Sequence, residues 1–240
     1  MERGSSLDSG KETNAASGRE LSHLQYVVVE GCIGVGKTTL TQLLAKKLNA
    51  RTVVEVVEEN PFLPEFYQDR VAHAFKTQMF FLLSRFKQQE DIVQTDLFKR
   101  SVVADYMFAK DRIFAELTLS GSELALYQQV FDALAGRVQL PDLIIYLRAP
   151  MNVILERIAR RGRSFERDID QEYLKELSAA YQRFFAGFHS CPVLTVESEE
   201  LNFPDREEDL DAVINAAVET VVNQDARRVF AGPVRQPSLV

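Results

Sequence analysis

The sequence is short of cysteine and of positive charge, and it has no long apolar run. Its 240 residues contain 28 lysines and arginines against 35 aspartates and glutamates, which gives a net charge of −7. A protein of this charge is not attracted in general to nucleic acid or anionic membranes, so phosphate binding must come from local basic clusters. No stretch reaches the about 18 apolar residues that a membrane-spanning helix needs. We therefore expect neither nucleic acid nor a membrane among the partners.

The two cysteines, Cys32 and Cys191, provide neither a disulfide framework nor a cysteine-based metal site. The amino terminus lacks the apolar core of a signal peptide. These features predict a reducing, cytoplasmic setting.

An apolar content of 46% in 240 residues is enough for one α/β domain, which we place at 25–222. Residues 1–24 are polar and predict a disordered tail, and residues 223–240 predict a second tail. Between them, β-branched runs alternate with helical patterns, as in a parallel sheet with crossover helices. Five strands are predicted: Tyr26 to Glu30, Thr52 to Glu55, Ser101 to Ala104, Leu143 to Leu147 and Val193 to Val196.

A phosphate-binding loop follows the first of these strands. The pattern G-x-x-x-x-G-K-[ST] places glycines where backbone N–H groups curl around a polyphosphate, and a helix from Thr39 to Leu48 follows. Lys37 is expected at the β- and γ-phosphates of ATP, and the Thr38 hydroxyl is expected to bind Mg²⁺. The predicted cofactor-binding residues are Gly31, Cys32, Ile33, Gly34, Val35, Gly36, Lys37, Thr38 and Thr39.

Acidic residues follow two neighbouring strands. In an open parallel sheet, ligands bind outside the carboxyl ends of the strands, where Glu55 and Asp105 are expected. Asp105 is predicted to lie near Mg²⁺ with Thr38, although a helix cap is the competing interpretation. Each of Glu55, Glu58 and Glu59 is also compatible with an ordinary surface charge.

The longest helical region runs from Phe62 to Gln94, as one or two helices with a buried apolar stripe. Gln78 and Arg85 are seven residues apart in it, so they share a face about 10.5 Å from each other along the axis. Such a pair either faces solvent or reads a ligand.

Five arginines occur between residues 157 and 167, and Gly162 marks a helix end among them. Guanidinium groups suit phosphate contact and transition-state charge, so the segment predicts a mobile lid over the nucleotide. A solvated helix end is the alternative. The arginines are Arg157, Arg160, Arg161, Arg163 and Arg167.

In order and content these motifs resemble the deoxynucleoside kinases, particularly the bacterial deoxyadenosine and deoxyguanosine kinase branch, from Gln25 to Val222. The matching segments include the phosphate-binding loop, Glu55 to Pro61, Gln78 to Arg85, Asp105 to Phe114, and Tyr146 to Ala149 with Glu156 to Arg163. The resemblance implies a P-loop kinase fold with a five-stranded parallel sheet flanked by helices, an arginine-rich lid, and a homodimer.

The resemblance also implies roles for individual residues. Glu55 corresponds to the base that takes the proton of the sugar 5′-hydroxyl, and Lys37, Arg161 and Arg163 would stabilise the transferred phosphoryl group. The implied acceptor-binding residues are Glu55, Tyr67, Gln78, Arg85, Asp111, Phe114 and Glu166, of which Tyr67 and Glu166 hold the 3′-hydroxyl. The lid residues Arg157 and Arg161 and the loop residue Phe203 would contact ATP.

Two positions depart from the family pattern. Val56 replaces the usual proline after Glu55. This departure affects the turn, whereas the acid itself matches the family pattern. Tyr106 replaces the arginine that commonly follows the acid of the third strand. The role of that arginine would pass to another cation, either Lys110 or a lid arginine.

The sequence thus predicts ATP-dependent 5′-phosphorylation of a deoxyribonucleoside, with purines favoured because Arg85 and Asp111 are both present. One rival is a nucleoside monophosphate kinase such as thymidylate kinase, whose phosphorylated acceptor would be repelled by Glu55, Glu58 and Glu59. A non-catalytic nucleotide-binding regulator is the other alternative, although no Asn-Lys-x-Asp guanine-reading motif occurs.

Overall fold

The β-branched runs of the sequence form a six-stranded parallel sheet. The computed structural model describes residues 24–55, 57–95, 101–166 and 169–232. Within these ranges the strands are β1 Tyr26–Gly31, β2 Arg51–Val53, β3 Val102–Ala104, β4 Leu143–Arg148, β5 Val193–Glu197 and β6 Arg227–Phe230.

Helices cover both faces of this sheet. They are α1 Lys37–Leu48, α2 Leu63–Gln68, α3 Arg70–Thr95, α4 Lys110–Thr118, α5 Gly121–Ala135, α6 Met151–Arg161, α7 Gln171–Gly187 and α8 Glu207–Val222, with single 3₁₀ turns at Val57–Glu59 and Ser164–Glu166. None of the helices in the described ranges is long and apolar enough to cross a membrane.

The strand order β2-β3-β1-β4-β5-β6 places β1 beside β3 and β4. Val28 of β1 is in register with Ala104 on one side and with Ile144 on the other. The chain runs to one side of β1 for β2 and β3 and then to the other for β4, so a crevice opens at the carboxyl end of β1. At this edge the predicted site residue Gly31 ends β1, and Glu55 and Asp105 follow β2 and β3.

Alternate residues of β1 face two separate cores, as the two-residue period of a strand requires. Val28 packs in the core that contains Leu82 of α3 and Leu177 of α7. Val27 packs in the opposite core with Leu40 of α1 and residues of α8. Burial on both faces explains why β1 is an unbroken apolar run up to Glu30.

The prediction of five strands was wrong, because Arg227–Phe230 adds a sixth strand beside β5. The sequence analysis placed these residues in a C-terminal tail. As an edge strand β6 has one neighbour, and it is largely solvent-accessible, so its four residues lack the apolar run that marks the inner strands. The predicted N-terminal tail lies outside the described residues except for Leu24, as do residues 233–240.

The long helical region is two helices, α2 and α3, as one of the two interpretations anticipated. Two boundaries at the site differ from prediction. The second strand ends at Val53, so Glu55 lies in the loop after it and not in the strand. Helix α1 begins at Lys37, two residues before the predicted start, because Gly36 takes the left-handed conformation that leads directly into it.

Candidate active site

The loop between β1 and α1 has the backbone that a phosphate-binding loop needs. Gly31 has φ +147°, and a Cβ atom there would lie 2.4 Å from the carbonyl oxygen of Leu147. Gly34 has φ +81°, and its Cβ would meet Ile158 at 2.6 Å. Both positions therefore require glycine, and α1 points its amino end at the loop.

Lys37 lies across this loop. Its Nζ donates to the carbonyl oxygens of Gly31 at 2.8 Å and Cys32 at 3.1 Å. Burial and the charge of Lys110 lower the pKa of Lys37, whereas Glu30 and Asp105 oppose that shift. The ammonium group is thus held at the mouth of the loop, where the β- and γ-phosphates were predicted.

Asp105 joins three segments of the site. The Thr38 hydroxyl donates to Asp105 Oδ2 at 2.6 Å, and the backbone N–H of Glu55 donates to Asp105 Oδ1 at 2.7 Å. The predicted pair of Thr38 and Asp105 therefore does meet. A hydroxyl and a carboxylate oxygen beside a polyphosphate loop fit Mg²⁺, which takes its remaining ligands from phosphate and water. No cluster of three or more His, Cys, Asp or Glu side chains able to hold a metal occurs within the described ranges.

Glu55 is held by two cations. Arg85 Nε donates to its Oε1 at 2.8 Å, a second Arg85 nitrogen contacts the same oxygen, and Lys110 Nζ donates to Oε2 at 2.7 Å. Burial alone would raise the pKa of Glu55, but the charges and hydrogen bonds of Arg85 and Lys110 outweigh it and hold that pKa below its usual range. Glu55 is therefore an ionised carboxylate at neutral pH.

Arg85 contacts a second carboxylate as well. It forms an ion pair with Asp111, which is fully buried at the start of α4, and its guanidinium lies 4.7 Å from the centre of the Phe81 ring. The predicted pair of Arg85 and Asp111 is thus present, and it connects directly to Glu55. A buried carboxylate such as Asp111 is tolerated because Arg85 neutralises it.

One cavity brings most of the predicted acceptor-binding residues together. It extends from the phosphate-binding loop along α3 and α4, and Asp111 approaches it through Arg85. Its lining includes the predicted residues Glu55, Tyr67, Gln78, Arg85, Phe114 and Glu166.

Tyr67 and Glu166, which the resemblance assigns to the 3′-hydroxyl, lie on one wall of this cavity. The Tyr67 ring stacks on Phe165 with centroids 6.1 Å apart, and Glu166 is almost completely buried. Burial, with Tyr173 and Glu166 nearby, raises the pKa of Tyr67, so its hydroxyl stays protonated and can donate. A phenol and a carboxylate side by side suit a sugar hydroxyl, which both donates and accepts.

The lid arginines fall into two groups. Arg161 pairs with Glu166, and Arg163 pairs with Glu58 at 2.7 Å. Arg157 instead donates to the carbonyl oxygen of Val35 at 2.8 Å and to Ser198, which follows β5. Arg157 therefore braces the phosphate-binding loop. Arg167 lies outside the described residues.

A second cleft runs along the outer side of the phosphate-binding loop. It is lined by Gly34 to Thr39, by lid arginines including Arg157, and by the loop from Leu201 to Asp205, which contains the predicted Phe203. The two cavities share Lys37, Thr38, Arg161 and Arg163 in their linings. A donor in one cleft and an acceptor in the other would therefore meet at these shared residues.

Lys110 is one of the two cations proposed from the sequence to replace the arginine that is absent at Tyr106, a role near the phosphates that stays a prediction. Lys110 is buried, and its ammonium lies 5.9 Å from the centres of the Tyr106 and Phe114 rings. The Tyr106 hydroxyl is buried without a hydrogen-bond partner among the described residues. Of the two substitutes that the sequence offered, Lys110 is the one that contacts Glu55.

Sequence reasoning missed Glu30, the last residue before the phosphate-binding loop. Its carboxylate is fully buried and accepts from the backbone N–H groups of Gly31 at 3.0 Å and Met107 at 2.9 Å, and from the Tyr181 hydroxyl at 3.3 Å. Burial raises the pKa of Glu30, against the charges of Lys110 and Lys37. The only sign of Glu30 in the sequence is that a single acid stands at the end of an apolar strand.

Comparisons with known proteins find deoxynucleoside kinases. The family model described as deoxynucleoside kinase matches residues 27–223. A deoxyguanosine kinase of Bacillus subtilis is 36% identical over 202 residues, covering 82% of this chain and 98% of the relative. A deoxyadenosine/deoxycytidine kinase of Bacillus subtilis is 32% identical over 210 residues, covering 84% and 95%. A solved structure of deoxyadenosine kinase from M. mycoides with bound dCTP has a TM-score of 0.67 at 25% identity, covering 83% of this chain and 99% of that one.

Proposed function

The chain belongs to the deoxynucleoside kinase family, and from that premise we propose that it transfers the γ-phosphoryl group of ATP to the 5′-hydroxyl of a purine deoxyribonucleoside. The observation that carries the proposal is the meeting of two clefts at Lys37, with Glu55 on the acceptor side. The names of the relatives, deoxyguanosine kinase and deoxyadenosine/deoxycytidine kinase, support the purine preference. The product suits a role in nucleotide salvage, and the cytoplasmic location and homodimer remain predictions.

Glu55 would orient the 5′-hydroxyl for in-line attack and accept its proton. A carboxylate of lowered pKa is a weak base, but phosphoryl transfer has a loose transition state that asks little basicity of the attacking oxygen. Its main contribution is then position, because Glu55 and Lys37 line the same cavity.

Lys37, the amides of the phosphate-binding loop, and Arg161 and Arg163 would stabilise the charge that spreads over the transferred group. Thr38 and Asp105 would hold Mg²⁺, which supplies further charge neutralisation when bound to ATP. Both arginines are now paired with acids, Arg161 with Glu166 and Arg163 with Glu58.

A neutral acceptor fits the cavity better than a nucleoside monophosphate. Arg85 and Lys110 lie deep in it, but Glu55 and Asp111 already neutralise their charges. An acceptor that brings two further negative charges would have to displace one of these carboxylates. This argues against the thymidylate kinase alternative.

Phosphoryl transfer from labelled ATP to each of the four deoxyribonucleosides, and to their monophosphates, tests the proposal. We expect transfer to deoxyadenosine or deoxyguanosine and none to any monophosphate. Preferred transfer to thymidine monophosphate would establish the rival kinase activity. Tight ATP binding without transfer to any acceptor would identify a non-catalytic binding module.

A further inference from the structure

The hydrogen bonds of Thr118, the last residue of α4, fix the direction of the Gln78 carboxamide. Thr118 Oγ1 lies 2.7 Å from the carbonyl oxygen of Phe114 and 3.3 Å from Gln78 Nε2. A carbonyl oxygen only accepts, and a hydroxyl has one proton, so Thr118 donates to Phe114 and can only accept from Gln78. The NH₂ group of Gln78 must therefore face Thr118.

This constraint determines what Gln78 presents to the acceptor cavity that it lines. Gln78 is 2% exposed, and its Oε1 is buried with no hydrogen-bond partner among the residues that the structure describes. Buried acceptors without a donor are rare in folded proteins, so this oxygen calls for an N–H group from a ligand. Beside it, Nε2 keeps a second N–H for a ligand acceptor.

The two classes of purine place opposite groups at such an edge. A 6-amino purine has an N–H donor on its 6-substituent and an acceptor at N1, whereas a 6-oxo purine has an acceptor at position 6 and a donor at N1. A carboxamide that can rotate by 180° serves either pattern. A carboxamide that is held in a single direction can form both hydrogen bonds with only one class of purine. With the other class, buried donors and acceptors are left mismatched.

We propose that Thr118 is a positioning residue which, by holding the Gln78 carboxamide in one direction, makes the acceptor cavity discriminate between 6-amino and 6-oxo purines. The inference rests on the proposed function, because it concerns the same acceptor. Thr118 acts through Gln78 and is not in the lining that the described residues give to the cavity.

The test is the ratio of kcat/KM for deoxyadenosine to that for deoxyguanosine. Thr118→Val keeps the side-chain shape but removes the hydroxyl, so the ratio should move about tenfold toward one. Thr118→Ser keeps the hydroxyl and should preserve the wild-type ratio. Should the valine variant fail to fold, Thr118→Ala also lacks the hydroxyl and is expected to shift the ratio equally.

Thr220→Val is the matched control. The Thr220 hydroxyl, like that of the half-buried Thr118, donates to the carbonyl oxygen four residues earlier, here Ala216 at 2.7 Å. Thr220 is fully buried and lies on α8. We expect an unchanged ratio in this variant. An unchanged ratio in folded Thr118→Val, or an equal shift in Thr220→Val, overturns the inference.

The failure of the proposed function gives a different result. If the wild-type protein phosphorylates neither purine deoxyribonucleoside, the proposed function is refuted. The inference about Thr118 is then tested by the ratio of the Kd values of the two nucleosides, measured by titration calorimetry. Movement of that ratio toward one in Thr118→Val supports it. An unmoved ratio, or no binding of either nucleoside, overturns it.

Discussion

Replacing Lys110 with methionine should weaken catalysis and raise the pKa of Glu55. Lys110 Nζ and the Glu55 carboxylate are 2.7 Å apart, and the lysine is buried at the first turn of α4, where the helix dipole disfavours a cation. The ion pair with Glu55 offsets this unfavourable position. Methionine has a similar length and no charge, so the variant isolates the contribution of the ammonium group.

The magnitude follows from the contacts. A hydrogen bond to a charged group contributes about 1.5–3 kcal/mol, which corresponds to a roughly 10- to 150-fold loss in kcat/KM if the bond orients Glu55 in the transition state. Arg85 still contacts Glu55 in the variant, so the loss should stop within that range. Lys110→Arg keeps the charge and should recover part of the activity.

The pH dependence provides the second readout. Lys110 is one of the charges that hold the pKa of Glu55 below its usual range, so its removal shifts the acidic limb of the kcat/KM profile to higher pH. Lys76→Met is the control, because Lys76 pairs with Glu65 on the surface at 3.1 Å, and we expect less than a twofold effect. A Lys110→Met enzyme with kcat/KM within threefold of wild type and an unmoved acidic limb would refute the reasoning.

Three further predictions concern Glu55 and Gly31. Glu55→Gln should lower kcat at least about a hundredfold with little change in nucleoside Kd, as measured by steady-state kinetics. The control Glu59→Gln, in the exposed 3₁₀ turn, should leave kcat unchanged. Because the pKa of Glu55 is lowered in the folded state, the ionised carboxylate stabilises the fold. This contribution to the free energy of unfolding is present above about pH 4.3 and is lost as the pH falls through the pKa of Glu55 in the folded state. Urea unfolding should therefore show that Glu55→Gln costs less stability at pH 3 than at pH 7, and an equal cost at both would contradict it. Gly31→Ala should destabilise the fold by about 1–3 kcal/mol and abolish ATP binding, because the new Cβ would lie 2.4 Å from the carbonyl oxygen of Leu147. The control Gly136→Ala should do neither, because a Cβ at Gly136 would point into open space.

The sequence was sufficient for the parts of the site that follow directly from chain order. Glycine spacing placed the phosphate-binding loop, and Gly31 indeed has the left-handed φ that excludes a side chain. Asp105 follows an inner strand whose apolar run was easy to recognise, so its meeting with Thr38 could be expected at the sheet edge.

The rest depended on packing between elements distant in sequence. Lys110 and Glu55 are 55 residues apart, and nothing in either segment alone says that α4 would aim a lysine at that loop. Glu30 was missed because two of its donors, Met107 in the loop after β3 and Tyr181 on α7, are distant in sequence. The sixth strand was not predicted, because four half-exposed residues at a sheet edge have almost no apolar pattern.

Arg85 gives the site a property that neither carboxylate has alone. One guanidinium pairs with both Asp111 and Glu55, which the proposed function assigns to the base and to the 5′-oxygen. A base that drew Arg85 toward Asp111 would weaken its hold on Glu55, because the two carboxylates share one counterion. Under the proposed function, recognition of the base and placement of the 5′-oxygen by Glu55 would therefore be thermodynamically linked.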